Sequence, residues 1–270
     1  AMLGGSAAGA VEAISKSEPG AGSDVGALTC KAERANGSYV VNGQKTWISN
    51  AHIAAHTLLV ARTSRDGTKH EGLTMLEVPN DVSGLEMHPI DTMGGREVND
   101  LYFTDCELPA SALIGEEGQG WKQLMAGLNH ERLIIAAQAL GLARRAFADQ
   151  LQFVKEREQF GKPVGSFQAI KHRIADLATE IEATSLLVYD VAAKVDANPG
   201  AMFPREASMA KLKATETAKR AALEGMQNMG GYGYATEYSM ERHVRGALVT
   251  TIFGGTNEIQ RDIIGRTFGL

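Results

Sequence analysis

An α+β fold is predicted, with a β-barrel-like portion over residues 1–110 and an all-α antiparallel helical bundle over residues 111–270. Three observations predict it. Short runs rich in β-branched, leucine and aromatic residues crowd the first part, long helical periodicities fill the second, and the texture changes once, near residue 110.

Within the first part, residues 27–32 and 39–41 flank Asn36-Gly37, a pair that accepts positive φ and so signals a hairpin. Asn42-Gly43 reads as a second turn. Residues 57–62, 73–78, 85–90 and 100–103 read as further strands, separated by turn clusters such as Arg65-Asp66-Gly67 and Asn80-Asp81. Many short strands with close turns predict a barrel or sandwich.

The second part opens with one long helical pattern from residue 119 to about 156. Another runs from 166 to about 195, with Ile170, Ile174, Leu177, Ile181 and Val188 on one face, and Asn198-Pro199-Gly200 ends it. A third spans 205–229 and stops at Gly230-Gly231. Two shorter helices are expected near 239–248 and 257–268. Antiparallel helices of this length pack as a bundle.

Composition narrows the function. The 270 residues are 44% hydrophobic and 22% charged, an ordinary globular balance. A formal net charge of −5 gives no nucleic-acid footprint. No apolar run reaches ~18 residues, so no membrane helix is expected. Cys30 and Cys106 lack metal-ligand or CxxC spacing and read as core thiols of a cytoplasmic protein; no metal site is expected. No basic segment precedes an apolar one at the N-terminus, so no leader is expected, and Ala1 stands before Met2.

Five segments invite a chemical reading, and each has a plainer one. Residues 18–24 (Glu-Pro-Gly-Ala-Gly-Ser-Asp) form a loop whose glycines allow close approach to a ligand; alone it is a tight surface turn. In residues 45–50 (Lys-Thr-Trp-Ile-Ser-Asn) a Trp beside a Ser can flank a planar cofactor, or the Trp is core. Residues 157–162 (Arg-Glu-Gln-Phe-Gly-Lys) read as a helix ending at Gly161, with an arginine for phosphate or merely solvated. Residues 230–234 read as a joint. Gly254-Gly255 precedes Thr256, an N-cap, and a helix start favours phosphate or carbonyl oxygens.

Glu131 is more informative. Leu124, Leu128, Glu131, Ile135, Gln138 and Leu142 recur at a 4-3-4-3-4 spacing that places them on one face of the first long helix. A carboxylate on an apolar face is costly unless paired or neutral. It is either a general base or half of a buried ion pair.

Taken in order, residues 18–24, 45–50, 157–162, 230–234 and 254–261 resemble the signatures of the acyl-CoA dehydrogenase family, over a match from about residue 12 to 270. The resemblance implies an FAD enzyme that oxidises acyl-CoA thioesters to trans-2-enoyl-CoA and passes electrons to electron-transfer flavoprotein. It implies that Ser17 meets the flavin edge, Ser23 the FAD pyrophosphate, Trp47 the flavin face and Ser49 the neighbourhood of N5. It implies that Arg157, Phe160, Gln227 and Gly231 reach the FAD of a neighbouring subunit, hence a homotetramer or homodimer, and that Thr256 and Glu258 hold the adenine half. Asn129, Arg132 and Gly254 match positions at the acyl-CoA pocket. In this picture residues 1–110 bind FAD and acyl-CoA.

Most members carry the catalytic glutamate directly before the Gly-Thr that is here Gly255-Thr256, where this sequence has Gly254. Members resembling the isovaleryl-CoA and long-chain enzymes place it in the first long C-terminal helix before an arginine, and His130-Glu131-Arg132-Leu133 fits. The resemblance therefore implies Glu131 as the base. It also implies a preceding helical domain of roughly 100 residues or more, after which this sequence begins. Two other readings share the motifs: an acyl-CoA oxidase, which releases peroxide, and a non-catalytic or shortened partner subunit without flavin.

Overall fold

A computed structural model describes residues 12–270. The N-terminal residues 1–11, on which the leader reading and the Ala1-Met2 observation rest, lie outside the described residues. The chain divides into two compact units between Met125 and Ala126.

The first unit is a mixed sheet. Its strands are β1 (Glu12–Ser15), β2 (Lys31–Ala35), β3 (Ser38–Ser49), β4 (His56–Arg62), β5 (Leu73–Pro79), β6 (Leu85–Thr92), β7 (Gly95–Pro109) and β8 (Leu113–Ile114). They pair in the order β6-β7-β3-β2-β4-β5-β8, with β1 parallel to β4. The path ends at β6 and β8, so among the described residues the sheet is open and does not close into a barrel.

Asn36 (φ 51°) and Gly37 (φ 83°) make the expected two-residue hairpin, closed by the Ala35–Ser38 pair. Asn42-Gly43 does not turn the chain; β3 runs straight through it, paired with β7. Gly43 answers a different demand. A Cβ there would lie 2.7 Å from the Cys30 Cα, so the glycine permits two backbones to touch. The strand expected at 27–32 starts four residues later, at Lys31, because Val25–Ala27 form a 3₁₀ turn. The run expected at 100–103 is the middle of the 15-residue β7. The core is built from inward residues such as Val41, Leu59, Leu76, Val78, Leu101 and Phe103. Cys30 and Cys106 are buried and unpaired, and burial pushes the Cys30 thiol up to about 11, which leaves it inert.

Arg62, at the end of β4, organises the loops around this core. Its Nε donates to the Leu28 carbonyl at 3.1 Å. Nη1 donates to Ser64 O at 3.4 Å and Glu71 O at 3.0 Å. Nη2 donates to Gly26 O at 2.8 Å and Lys69 O at 3.1 Å. A guanidinium has five N–H donors, and here each meets a backbone carbonyl.

The second unit is helical: α1 (Gly120–Glu156, which begins in the first unit), α2 (Gln168–Ala197), α3 (Pro204–Met229), the single turn α4 (Gly231–Tyr234), α5 (Met240–Thr250) and α6 (Asn257–Arg266). Pro204 starts α3 with its φ preset, and Gly230, at φ 59°, ends it. Alanines line the shared core: Ala136, Ala139, Ala143 and Ala146 from α1, Ala214 and Ala218 from α3. Gln150 on α1 donates to Ala221 O at 3.1 Å and accepts from Asn228 at 2.9 Å, which joins α1 to α3 in their polar spots. No helix of the described residues is long and apolar enough to cross a membrane.

Residues 157–162 are not a helix end. After Glu156 the chain forms a small hairpin, β9 (Glu158–Gln159) and β10 (Lys162–Pro163), turned by Phe160 (φ 56°) and Gly161 (φ 79°). Glycine suits that turn; phenylalanine does not. The ring is nevertheless held outward, 93% exposed.

Candidate functional site

In the sheet unit the expected residues cluster at one irregularity. The register of β3 against β7 slips between Lys45 and Ile48, a bulge that throws Trp47 into a left-handed conformation (φ 61°). Trp47 is 60% exposed, which excludes the core reading, and Ser49, two residues on, is also outward. Strained backbone that presents an aromatic face to solvent makes this bulge a candidate binding feature. The Ser17 carbonyl accepts from Thr46 N at 3.0 Å, which sets Ser17 beside the bulge.

A buried ion pair pins the loop to the same strand. Glu18 accepts from Lys45 Nζ at 2.8 Å, from Thr29 N and Oγ1 at 2.6 and 2.9 Å, and from Cys30 N at 2.9 Å. Burial alone would raise the Glu18 carboxyl; the Lys45 charge and hydrogen bond, with the Thr29 and Cys30 amides, outweigh it and hold the carboxyl below its usual range. Lys45 also donates to Lys16 O at 3.2 Å. Three residues past the Glu18–Ala21 turn that this arrangement anchors, Asp24 pairs with Lys69; Ser23 between them stands exposed. Neither Glu18 nor Lys45 stands among the expected ligand-facing residues, although both lie inside the quoted segments.

In the helical unit the buried face of α1 is rotated from the expected stripe. Asn129, Arg132, Ile135, Ala136, Ala139, Ala143, Ala146 and Gln150 point inward, whereas Gln138 is exposed and Leu128 and Leu142 are half-buried. Small alanines fill the tight side of the helix; Leu124 and Leu140 are buried with them, while Leu128 and Leu142 sit at its margin. Glu131 lies at that margin, half-buried, between the buried Asn129 and Arg132. The Asn129 Oδ1 and Arg132 Nε are buried without a hydrogen-bond partner among the described residues, which makes them candidates to meet a bound molecule.

Glu131 and Gly254 share one space. Gly254 has φ +64°, and a Cβ built on it would stand 3.7 Å from Glu131 Oε1 and 2.2 Å from Ile135 Cδ1. Gly255 follows at φ +83°. Thr256 caps α6 as expected, its hydroxyl oxygen accepting from Ile259 N at 3.3 Å. Glu258, exposed at the first turn, is held below the usual carboxylate range by its own amide and the Thr256 hydroxyl. The remaining four residues, Arg157, Phe160, Gln227 and Gly231, are all exposed. Arg157 lies over the Tyr232 ring at 5.2 Å, which brings the hairpin beside the Gly230-Gly231 turn.

Residues 13–106 match the family model "Acyl-CoA dehydrogenase, middle domain", and residues 118–269 match "Acyl-CoA dehydrogenase, C-terminal domain". The chain is 37% identical over 260 residues to the mitochondrial isovaleryl-CoA dehydrogenase of Arabidopsis thaliana, covering 95% of this chain and 63% of that one. It is 40% identical to the cyclohexane-1-carbonyl-CoA dehydrogenase of Geobacter metallireducens, covering 93% and 66%. The crystal structure of acyl-CoA dehydrogenase from Geobacillus kaustophilus superposes with a TM-score of 0.94 at 38% identity, covering 97% of this chain and 70% of that one. A mixed sheet followed by a helical unit is thus the architecture of a class of flavin-dependent CH–CH oxidoreductases. The chain belongs to the acyl-CoA dehydrogenase family, whose members are FAD flavoproteins. It spans a little under two thirds of the length of curated relatives such as the Arabidopsis enzyme.

Proposed function

We propose that this chain binds FAD and dehydrogenates an acyl-CoA thioester to the trans-2-enoyl-CoA, with Glu131 as the general base. The observation that carries this is the shared space at Gly254: the Glu131 carboxylate oxygen stands 3.7 Å from where a residue-254 side chain would begin. Relatives resembling the commoner family pattern deliver their glutamate from that loop, and here α1 delivers a carboxylate to the same place.

The residues present fit the cofactor. Trp47 and Ser49 face outward from a strained bulge beside Ser17, and Ser23 stands on an anchored glycine loop. Thr256 and Glu258 sit at a helix start, where N–H groups favour anionic and carbonyl oxygens. When bound, FAD supplies the two-electron acceptor for the β-hydrogen. Glu131 takes the α-proton. The Gly254 N–H donates to the thioester carbonyl oxygen, where charge develops as that proton leaves. Asn129 and Arg132, with partnerless buried polar atoms, orient the acyl-CoA.

The test is the flavin spectrum of the purified chain, with anaerobic acyl-CoAs of graded length and branching added. Bleaching by at least one acyl-CoA is expected, with reoxidation by electron-transfer flavoprotein rather than by oxygen. A colourless protein would favour the non-catalytic partner subunit, and stoichiometric peroxide the oxidase.

Arg157, Phe160, Gln227 and Gly231 all point out to solvent, as residues that serve a neighbour's FAD must. A homotetramer or homodimer is therefore proposed, in the cytoplasm, where the two free cysteines stay reduced. Light scattering of the flavin-loaded protein is expected to give a multiple of 28.8 kDa; a monomer mass would exclude the shared site. Arg157→Ala is expected to lose FAD on dialysis while keeping the parent's melting temperature within a few degrees. Truncating an exposed arginine usually changes stability by less than about 0.5 kcal/mol, whereas a lost charge-assisted phosphate contact weakens binding directly.

A further inference from the structure

Lys211 of α3 is among the most deeply buried side chains of the protein, at 0% exposure. Burying an ammonium is costly unless its donors are used, and an apolar side chain of the same size often packs as well or better. What this ammonium touches explains its presence. Its Nζ donates to Gly255 O at 3.0 Å and to Asn257 Oδ1 at 3.0 Å. Thr215, one turn further along α3, donates to the same Asn257 oxygen at 3.1 Å. Gln260 donates to Gly255 O at 2.9 Å, and Asn257 N to Thr251 O at 3.0 Å.

Two of these bonds end on Gly255 and the other three on Asn257 two residues later, so together they hold the segment that carries Gly254-Gly255, two consecutive glycines in the left-handed region, the backbone that holds its shape least by itself. Lys211 is the charged member of the set. Burial lowers its ammonium to about 8, with Glu258 and Glu131 pulling it back up and the Arg132 guanidinium pressing it down. Charges on α1 and α6 therefore meet at this one side chain.

We propose that Lys211 is a positioning residue: from α3 it locks the Gly254-Gly255 turn opposite Glu131 and so keeps the Gly254 N–H aimed at the substrate carbonyl. The lock stands on the hydrogen bonds alone; its catalytic consequence rests on the function proposed above.

The test is Lys211→Met in the full 270-residue chain, read three ways. Amide hydrogen exchange at Asn257, Ile259 and Gln260 needs no flavin. It is expected to quicken about tenfold or more, the loss of roughly one hydrogen bond, while amides of α1 and α2 keep their rates. A conjugated enoyl-CoA reddens when its carbonyl is polarised; the red shift on binding to the parent is expected to shrink in the variant. kcat is expected to fall about 100-fold with KM within a few-fold, as for a donor displaced by an ångström. Unchanged or uniformly quickened exchange would overturn the lock, and a full red shift with parental kcat would overturn its catalytic role. If Lys211→Met does not fold, Asn257→Ala removes the acceptor on the turn side and is expected to show the same local quickening; its absence counts against the proposal equally. A parent protein that neither bleaches nor reddens its ligand defeats the proposed function, and the exchange result still decides the lock.

Discussion

Glu131→Gln is expected to abolish flavin bleaching by acyl-CoA while the flavin spectrum and the fold persist. Glutamine keeps the size and much of the hydrogen bonding of the half-buried side chain, but it cannot take the α-proton. Loss of a general base costs about 10²–10⁴-fold. The competing account is an ion pair with the cations around it, since Arg132 and Lys211 both feel the Glu131 charge. Breaking a buried pair costs about 3–5 kcal/mol, so that account predicts a protein that melts early yet turns over when folded. Rapid-mixing bleaching and a melting curve on the same variant separate the two, and an active Glu131→Gln protein defeats the assignment.

The same geometry says what relocating the base requires. Glu131→Gln combined with Gly254→Glu places a carboxylate on the loop, as the commoner family pattern does. In this structure the new Cβ would strike Ile135 Cδ1 at 2.2 Å, on backbone at φ +64°. Little recovery is expected from the double variant. Adding Ile135→Ala removes the obstructing atom, so the triple variant is expected to regain more bleaching than the double. Ile135 thus fills the space into which a side chain at position 254 would grow.

Much of this was legible in the sequence, and the failures have common causes. Asn36-Gly37 announces its hairpin because its backbone preferences admit few alternatives. Asn42-Gly43 reads as a turn yet lies inside a strand, whereas Phe160-Gly161 reads as a helix end yet turns a hairpin. A glycine with positive φ looks the same in sequence whether it reverses the chain, as Gly161 does, or lets two strands touch, as Gly43 does against Cys30. The inward face of α1 departs from the leucine spacing because the tight interior of the bundle takes alanines, as at Ala136, Ala139, Ala143 and Ala146. Glu131 stands out in the sequence because a charge interrupts an apolar pattern. Applied to α3, the same signal marks Lys211 among Ala207, Ala210, Ala214 and Ala218; applied to β4, it marks Arg62 after the buried run from Thr57. Lys211 meets the Gly255 carbonyl and the Asn257 side-chain oxygen more than 40 residues on, and Arg62 gathers carbonyls from two separate loops, pairings that no residue pattern discloses.

Arg62 carries the largest expected effect on stability. Arg62→Ala would leave the carbonyls of Gly26, Leu28, Ser64, Lys69 and Glu71 without their shared donor. An unsatisfied buried polar group costs about 1–3 kcal/mol. Water entering the vacated space would satisfy some of the five, so a net loss of about 3–5 kcal/mol is expected rather than the full sum. Arg62→Lys keeps the charge but has at most three donors on a shorter, unforked head, and is expected to lose about half as much. Trp47 lies in the sheet and Trp121 on the first turn of α1, which belongs to the same unit, so their fluorescence reports mainly on that unit during urea unfolding. The expected result is a midpoint shift in tryptophan fluorescence that exceeds any shift in the far-ultraviolet helical signal, ordered Ala beyond Lys beyond parent. Because Arg62 fixes Gly26 and Leu28, just past Ser23, the alanine variant is also expected to hold FAD less firmly than the lysine variant. Equal midpoints for all three proteins would mean that the five carbonyls find other donors, and that the loops after Ser23 are held by the Glu18–Lys45 pair instead.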